Sequence, residues 1–275
     1  MYLIPIDTPD DPRIAAYRDI RERDLTGREG RFVAEGKVVL NVLFSAKRFE
    51  AESALVLENR LDGLSDTLAL APTNLPVYVA SRPVMDAIAG FPIHRGILAI
   101  GRRREDETAA GLIASLPEKA LVVVAVGISN HDNAGAVFRN AAAFGADVVL
   151  LDAESCDPFY RKAIRVSVGA ALKVPFARGG TAEELVRLLA EAGFRQFALS
   201  PRGAEDIRDV RPSERTALYF GTEGGGLPEV LMTRLETVRI AMAEGFDSLN
   251  VAAASAIALH ELATLCRDQK TDAAF

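Results

Sequence analysis

Two loops, each directly after an apolar run, constrain the fold of this chain more than any other feature. The run Thr216–Gly221 leads into GTEGGGL at Gly221–Leu227, and the run Val238–Met242 leads into GFDSLN at Gly245–Asn250. Short apolar runs with β-branched and aromatic residues predict buried strands. Glycine after a strand allows a ligand to approach the backbone closely, and ligands of open α/β sheets bind at that edge. The stretch therefore predicts a binding site built from two strand ends.

The glycine-rich loop lacks the features of a phosphate-binding loop. No Lys-Ser or Lys-Thr pair follows it, and no G-x-G-x-x-G pattern follows a first strand. A flexible turn is the alternative. Two features favour a functional loop over a turn: Glu223 lies inside it, and Ser248 is a predicted N-cap. The helix that Ser248 opens, Asn250–Cys266, is apolar nearly all round, so we expect it to be buried on several sides.

A third motif lies upstream, at Asn133–Asp147, and reads NAGAVFRNAAAFGAD. In their order and spacing, the three motifs resemble those of the SpoU-type (TrmH-like) RNA 2′-O-ribose methyltransferases of the SPOUT superfamily. The motif-bearing resemblance covers residues 118–268, and a looser resemblance covers the N-terminal part. It implies transfer of a methyl group from S-adenosyl-L-methionine to a ribose 2′-hydroxyl in rRNA or tRNA.

The resemblance also implies which residues form the site. The family motif N-x-G-x-x-x-R maps onto Asn133, Gly135 and Arg139. The implied catalytic residues are Arg139, Asn133, Glu223 and Asn250, and the implied cofactor-binding residues are Gly221, Ile240, Leu249, Ser248 and Met242. Ala134 and Ala241 depart from the family pattern. These departures bear on the fine geometry of the cofactor site and not on the class of protein.

Arg139 stands on a predicted helix, Ala134–Phe144, roughly opposite an apolar stripe. That position alone is typical of a surface arginine, and only the family motif assigns it to the site. Because a guanidinium keeps its proton, we expect Arg139 to bind the adjacent phosphate and to lower the pKa of the ribose hydroxyl. Water or Glu223 then accepts the proton. The histidines have no metal-ligand spacing, so no metal is expected, and His131 is interpreted as a positioning or exposed residue.

The composition limits the classes of protein to which this chain can belong. The net charge of −6 does not by itself favour a nucleic-acid partner, and the basic clusters Arg13–Arg23 and Arg102–Arg104 fit a solvated surface or RNA contacts. Cys156 and Cys266 form no C-x-x-C, so neither a zinc site nor a disulfide framework is indicated. The start lacks a signal-peptide pattern, and no apolar run is long enough to span a membrane. We expect a cytoplasmic protein.

Strand and helix patterns alternate along the chain and predict an α/β protein. We assign residues 113–275 to a mostly parallel sheet with helices on both faces, and residues 1–112 to a smaller α/β domain. Residues 102–118 are interpreted as the connection. Helices are also predicted at Arg13–Leu25 and Tyr160–Ala171.

Two further features of the fold come from the resemblance. It implies that the segment after Gly221 threads through a loop to form a deep trefoil knot, which periodicity cannot reveal. It also implies that the smaller domain holds the RNA substrate.

The final helix predicts a homodimer through the C-terminal domain. One apolar stripe contains Val251, Ala254, Ala258, Leu262 and Leu265, and the other side contains Ala252, Ala256, Leu259 and Ala263. One stripe can pack on the sheet of its own subunit, so the other needs a second partner. Leu259 is expected at that interface, and the resemblance implies sites to which both subunits contribute. Coverage by the N-terminal domain is the alternative.

The sequence offers two alternatives to this function. A non-catalytic RNA-binding protein that kept the fold stays open, although Arg139, Glu223, Ser248 and Asn250 favour the enzyme. A dinucleotide-dependent oxidoreductase is disfavoured because the fingerprint for the dinucleotide is missing.

Overall fold

A computed structural model describes the chain at residues 2–18, 25, 30–46, 48–89, 96–104, 107–211, 213–245 and 248–271. The chain folds into two compact units. The first consists of Met1–Asp106 and Pro158–Lys173, and the second of Glu107–Asp157 and Val174–Phe275.

Strands and helices alternate through most of the chain. The strands are β1 (Tyr2–Ile6), β2 (Arg31–Glu35), β3 (Phe49–Leu57), β4 (Pro76–Ala80), β5 (Ile97–Arg103), β6 (Ala120–Ala125), β7 (Val148–Leu151), β8 (Phe176–Arg178), β9 (Arg195–Leu199), β10 (Glu205–Asp206), β11 (Arg215–Phe220) and β12 (Glu236–Arg239). The helices are α1 (Lys37–Ser45), α2 (Ser65–Ala69), α3 (Arg82–Ala89), α4 (Ala109–Ala114), α5 (His131–Phe144), α6 (Arg161–Val166), α7 (Ala170–Lys173), α8 (Ala182–Glu191), α9 (Glu229–Met232) and α10 (Val251–Thr271).

The first unit contains a mixed five-stranded sheet with the order β1-β4-β3-β5-β2. Strand β4 runs parallel to β1 and β3, whereas β5 runs antiparallel to β2 and β3. The late segment Pro158–Lys173 belongs to this unit through Phe159. Its ring stacks on Phe32 at 5.0 Å between centroids and meets Phe49 edge-on at 5.4 Å. The Arg103 guanidinium covers the same ring at 4.2 Å, so an aromatic cluster with a cation attaches this segment to the unit.

The second unit contains a seven-stranded sheet with the order β10-β12-β9-β11-β6-β7-β8, in which every strand pair is parallel. Strands β6 and β7 are apolar along their whole length, as expected of a parallel sheet that is buried on both faces. In β6, each residue from Ala120 to Ala125 is buried. The parallel α/β sheet predicted from the sequence is thus confirmed.

Helices cover both faces of this sheet. Val122 and Val124 point to the face where α4 and α8 bury Ile113 and Leu189. Because successive side chains of a strand alternate, Val123 points to the opposite face. On that face Phe138 of α5 meets the ring of Phe176 on β8 at 5.4 Å between centroids. The α10 helix packs against α5, where the Asn140 amide donates to Ala252 O at 2.8 Å and to Ser255 Oγ at 2.9 Å.

The sequence-based prediction of several elements needs correction. The helix expected at Tyr160–Ala171 is two short helices, because Val168 and Gly169 adopt positive φ angles of 55° and 84° between them. The edge strands β1, β8 and β10 were missed. In the N-terminal region a 3₁₀ helix covers Pro12–Tyr17 where a longer helix was expected, and residues 19–24 lie outside the described residues.

The connection between the two units also differs from the expectation. Residues 102–118 are not an open linker, because β5 extends to Arg103 and α4 occupies Ala109–Ala114. The boundary expected at 112/113 therefore falls inside α4. How function divides between residues 1–112 and 113–275 stays a prediction.

The final helix begins one residue later than predicted. Asn250 takes the capping position expected of Ser248, since its Oδ1 accepts the Ala252 N–H at 2.8 Å. Leu259, expected at a subunit interface, is wholly buried in the chain itself. Among the side chains of this helix that the structure describes, Ile257 is a large apolar one that is exposed, at 39%. The side chain of Leu265 lies outside the described residues.

Among the described residues, no helix combines the length and the hydrophobicity that a transmembrane span requires.

Candidate active site

A cavity of about 850 Å³ opens in the second unit at the carboxyl ends of three neighbouring parallel strands, β12, β9 and β11. Parallel strands end at the same edge of a sheet, so the loops that follow them meet there. Three loop segments and the start of α10 line the cavity. The lining residues are Leu199, Ser200, Pro201, Arg202, Phe220, Gly221, Thr222, Glu223, Gly224, Gly225, Gly226, Leu227, Met232, Ile240, Met242, Ser248, Leu249, Asn250, Val251 and Ala254. All five predicted cofactor-binding residues are among them.

The glycine-rich loop after β11 is a closed turn. Thr222 and Gly226 exchange backbone hydrogen bonds at 3.1 and 3.0 Å, which leaves Glu223 at the tip. A Cβ atom on Gly221 would lie 2.2 Å from the carbonyl carbon of Gly226 and 2.3 Å from the amide nitrogen of Leu227. The loop thus requires glycine at 221 because its own backbone returns to that point.

A polar group joins the three sequence motifs. The Asn250 amide donates to Asn133 Oδ1 at 3.2 Å and also to Glu223 Oε1. Asn133 is buried on α5, Glu223 stands on the glycine-rich loop and Asn250 caps α10. A single side chain thus bridges the two other polar residues, and three of the four predicted catalytic residues lie together beside the cavity.

Arg139, the fourth predicted catalytic residue, does not join this group. At about 100° per residue, it points about 120° away from Asn133 around α5. Its side chain is exposed, and it forms no hydrogen bond or ion pair with any residue that the structure describes. Its catalytic role stays a prediction.

The turn that leads from β6 into α5 is held by Asp152 and Ser155, which sequence analysis missed. The buried Asp152 carboxylate accepts the Gly127 N–H at 3.0 Å, the Ser155 N–H at 2.9 Å and the Ser155 hydroxyl at 2.6 Å. Ser155 Oγ in turn accepts the Ile128 N–H at 3.0 Å. This network fixes the backbone just before Asn133. The signal in the sequence was a carboxylate and a hydroxyl directly after the strand Val148–Leu151.

The loop after β9 supplies a third wall that was also missed. Gly203 turns the chain so closely against β12 that a Cβ atom there would lie 2.2 Å from the Val238 carbonyl carbon. The Arg239 guanidinium donates to Gly203 O at 2.9 Å and to Ala204 O at 2.7 Å. The preceding residues, Ser200 to Arg202, are therefore held at the cavity rim. The sequence signal was a glycine shortly after β9.

Two other reactive groups of this unit stay protonated at neutral pH. Burial raises the pKa of the Cys156 thiol to about 11, with the negative charge of Asp157 acting in the same direction. Burial also raises the pKa of Tyr219, whose hydroxyl donates to Gln196 Oε1 at 2.5 Å. Neither group is therefore suited to act as a nucleophile or base. Among the described residues, no group of histidine, cysteine, aspartate or glutamate side chains is arranged to hold a metal ion.

Comparisons with known proteins identify relatives over nearly the whole chain. The sequence pattern of the SpoU rRNA methylase family matches residues 120–260. An uncharacterized tRNA/rRNA methyltransferase of Mycobacterium bovis is 39% identical over 263 residues, which cover 92% of this chain and 89% of the relative. The 23S rRNA (guanosine-2′-O-)-methyltransferase of Escherichia coli is 28% identical over 197 residues, covering 70% of this chain and 81% of that protein.

The fold also matches a solved structure. The crystal structure of an AdoMet-bound rRNA methyltransferase from Sinorhizobium meliloti has a TM-score of 0.77 to this chain at 24% identity. The match covers 97% of this chain and 98% of the other.

We expect Asp152→Ala to lower the free energy of unfolding by about 1–3 kcal/mol, because the N–H groups of half-buried Gly127 and buried Ser155 lose their acceptor. Asp152→Asn keeps one acceptor oxygen, so its loss should be smaller. Urea denaturation followed by circular dichroism measures both. Glu154→Ala, an exposed residue of the same loop, is the control and should change the free energy little. Equal stability of Asp152→Ala and Glu154→Ala would contradict the role of the network.

Proposed function

Because this chain belongs to the SpoU rRNA methylase family, a family of RNA methyltransferases, we propose that it methylates a ribose 2′-hydroxyl of rRNA or tRNA. S-adenosyl-L-methionine is the proposed methyl donor. The Escherichia coli relative is named for 2′-O-methylation of 23S rRNA, and the Sinorhizobium meliloti structure is described as AdoMet-bound.

The observation that supports this proposal is the meeting of three motifs at one cavity. Asn250 connects Asn133 with Glu223, and the loops after β11 and β12 line the cavity beside them. Its volume of about 850 Å³ lies within the range of small-molecule sites, which is about 300–1,000 Å³. Apolar walls such as Ile240 and Leu249 suit an adenosine, and the glycine-rich backbone allows its close approach.

The cofactor supplies a methyl group that its sulfonium already makes labile, so the protein contributes orientation and proton removal. In our proposal Gly221, Ile240, Met242, Ser248 and Leu249 hold the cofactor. The RNA ribose then lies beside the Asn133–Asn250–Glu223 group, next to the bound cofactor.

The Asn133–Asn250–Glu223 group is where, in this proposal, the ribose hydroxyl loses its proton. Asn250 donates to Glu223 and so orients its carboxylate, which with a water molecule is the proposed acceptor of the hydroxyl proton. Arg139 has an exposed guanidinium with no partner in the described part of the chain, which suits a phosphate of the RNA backbone, and its positive charge favours the alkoxide. An arginine does not itself accept the proton.

The remaining proposals concern architecture. After β11 the chain passes beyond β9 to β12 and then returns to place α10 against α5, which follows β6. This path supports the proposal that the segment after Gly221 forms a trefoil knot. We also propose that the smaller N-terminal α/β part binds the RNA substrate.

The proposed function is tested by mapping 2′-O-methyl groups in RNA from cells with and without this protein. Incubation of the unmodified RNA with purified protein and S-adenosylmethionine should restore the missing modification at a defined nucleotide. Modification that is absent in both preparations, with RNA binding intact, would instead identify a non-catalytic RNA-binding protein.

Arg139→Ala should lower the rate of methyl transfer by a factor of about 10² to 10³, because it removes a charge that stabilises the transition state. Its affinity for S-adenosylmethionine should remain near that of the wild type, since Arg139 does not line the cavity. Single-turnover methylation and calorimetric titration measure the two effects. Arg187→Ala, which removes an exposed arginine on α8, is the control. Methyl transfer within threefold of the wild type would remove Arg139 from the mechanism.

Gly221→Ala should abolish measurable cofactor binding, because its Cβ atom would collide with the backbone of Gly226 and Leu227. Gly111→Ala is the control, because Gly111 lies on α4 outside the cavity lining. Its Cβ atom would meet the hydroxyl of Thr108 at 3.1 Å, and that side chain can rotate. Calorimetric titration with S-adenosylmethionine compares the variants, and wild-type affinity in Gly221→Ala would contradict the proposed pocket.

We also propose a homodimer through the C-terminal domain, supported by exposed Ile257 on α10. Ile257→Glu should give monomers in light scattering at low micromolar concentration, because a carboxylate would be buried at the interface without a partner. Val38→Glu, at an exposed position on α1 in the first unit, should remain dimeric. A monomeric, active wild-type protein would contradict the dimer.

A further inference from the structure

Arg202 occupies a fixed place at the rim of the cavity. It precedes Gly203, whose close approach to Val238 leaves no room for a Cβ atom. The Arg202 N–H donates to Ser200 Oγ at 3.3 Å, and the Gly203 N–H donates to Ser200 O at 3.0 Å. The backbone that carries Arg202 is therefore a tight turn attached to the sheet, while the side chain remains exposed.

The charges around the cavity single out this arginine. Among the lining residues, the charged side chains are those of Arg202 and Glu223. The Glu223 carboxylate already accepts a hydrogen bond from Asn250. The Arg202 guanidinium, in contrast, forms no ion pair or side-chain hydrogen bond with the residues that the structure describes. The cavity wall thus offers one cation whose five N–H donors have no protein acceptor in the described part of the chain.

We infer that Arg202 binds the α-carboxylate of the methionine part of S-adenosylmethionine. This inference rests on the proposed function. The cofactor carries one anionic group, the carboxylate, beside its ammonium and sulfonium cations. A carboxylate withdrawn from water needs a partner, and a guanidinium can meet it with two parallel hydrogen bonds. Arg202 therefore determines that the site takes an amino-acid-bearing nucleoside and discriminates against one that lacks the carboxylate.

The test compares S-adenosylmethionine with decarboxylated S-adenosylmethionine, which keeps the sulfonium and the amine but lacks the carboxylate. Calorimetric titration of the full-length protein measures both affinities in the wild type and in Arg202→Gln. The substitution should weaken binding of S-adenosylmethionine by about 10- to 100-fold, the range for a charged hydrogen bond. It should leave the affinity for the decarboxylated ligand within about twofold, so the two ligands become nearly equivalent.

Two further variants sharpen the comparison. Arg202→Lys keeps the charge but cannot form two parallel hydrogen bonds, so an intermediate affinity for S-adenosylmethionine is expected. Arg234→Gln removes an exposed arginine of the same unit that does not line the cavity, and it should leave both affinities unchanged. Circular dichroism of each variant verifies that it is folded.

Three outcomes would overturn the inference. Arg202→Gln could weaken both ligands equally, which would indicate a structural effect on the pocket. It could leave both cofactor affinities unchanged while RNA binding falls, which would assign Arg202 to the RNA backbone. It could also leave the affinities for S-adenosylmethionine, for its decarboxylated form and for RNA unchanged. A wild-type protein that binds neither nucleoside would contradict the proposed function itself, and that result is visible before any variant is compared.

Discussion

The parallel register of four neighbouring strands, in the order β12-β9-β11-β6, is the constraint on which the candidate site depends. Parallel strands place their carboxyl ends at one edge of the sheet. The four loops that follow them therefore lie close together, although they are far apart in the chain. The cavity, the glycine-rich turn and the entry to α5 all lie at this edge. An antiparallel partner at any of these positions would have moved one wall of the site to the opposite edge of the sheet.

Within that edge, close backbone contacts leave little freedom to the loops. Gly221 and Gly203 stand where another segment passes at a distance that no Cβ atom could tolerate. Asp152 fixes the turn before α5 through buried hydrogen bonds, and Asn250 bridges α5 to the glycine-rich loop. Electrostatic catalysis requires groups that are oriented before the reaction begins. The backbone contacts and the polar bridge together hold Glu223 and Asn133 in place, as their proposed role requires.

Much of the fold and of the site could be predicted locally. Apolar runs identified the central strands, and the helix predicted at Ala134–Phe144 ends where α5 ends. Edge strands such as β8 and β10 were missed because, at three and two residues, they are too short to show a strand pattern. The break between helices α6 and α7 at Val168–Gly169 was missed because the apolar pattern of the sequence runs through it without interruption. Leu259 was assigned to the wrong surface because its burial depends on which helices meet in three dimensions.

The sequence by itself determined the α/β class, the position of the two strand-end loops and the identity of the residues lining them, because strand composition and glycine placement are local properties. Only the tertiary structure decided that Asn250 bridges Asn133 to Glu223 and that Arg202 stands at the rim of the same cavity. These relations join segments far apart in the chain. Their physical reason is the order in which the strands pair, which no local pattern encodes.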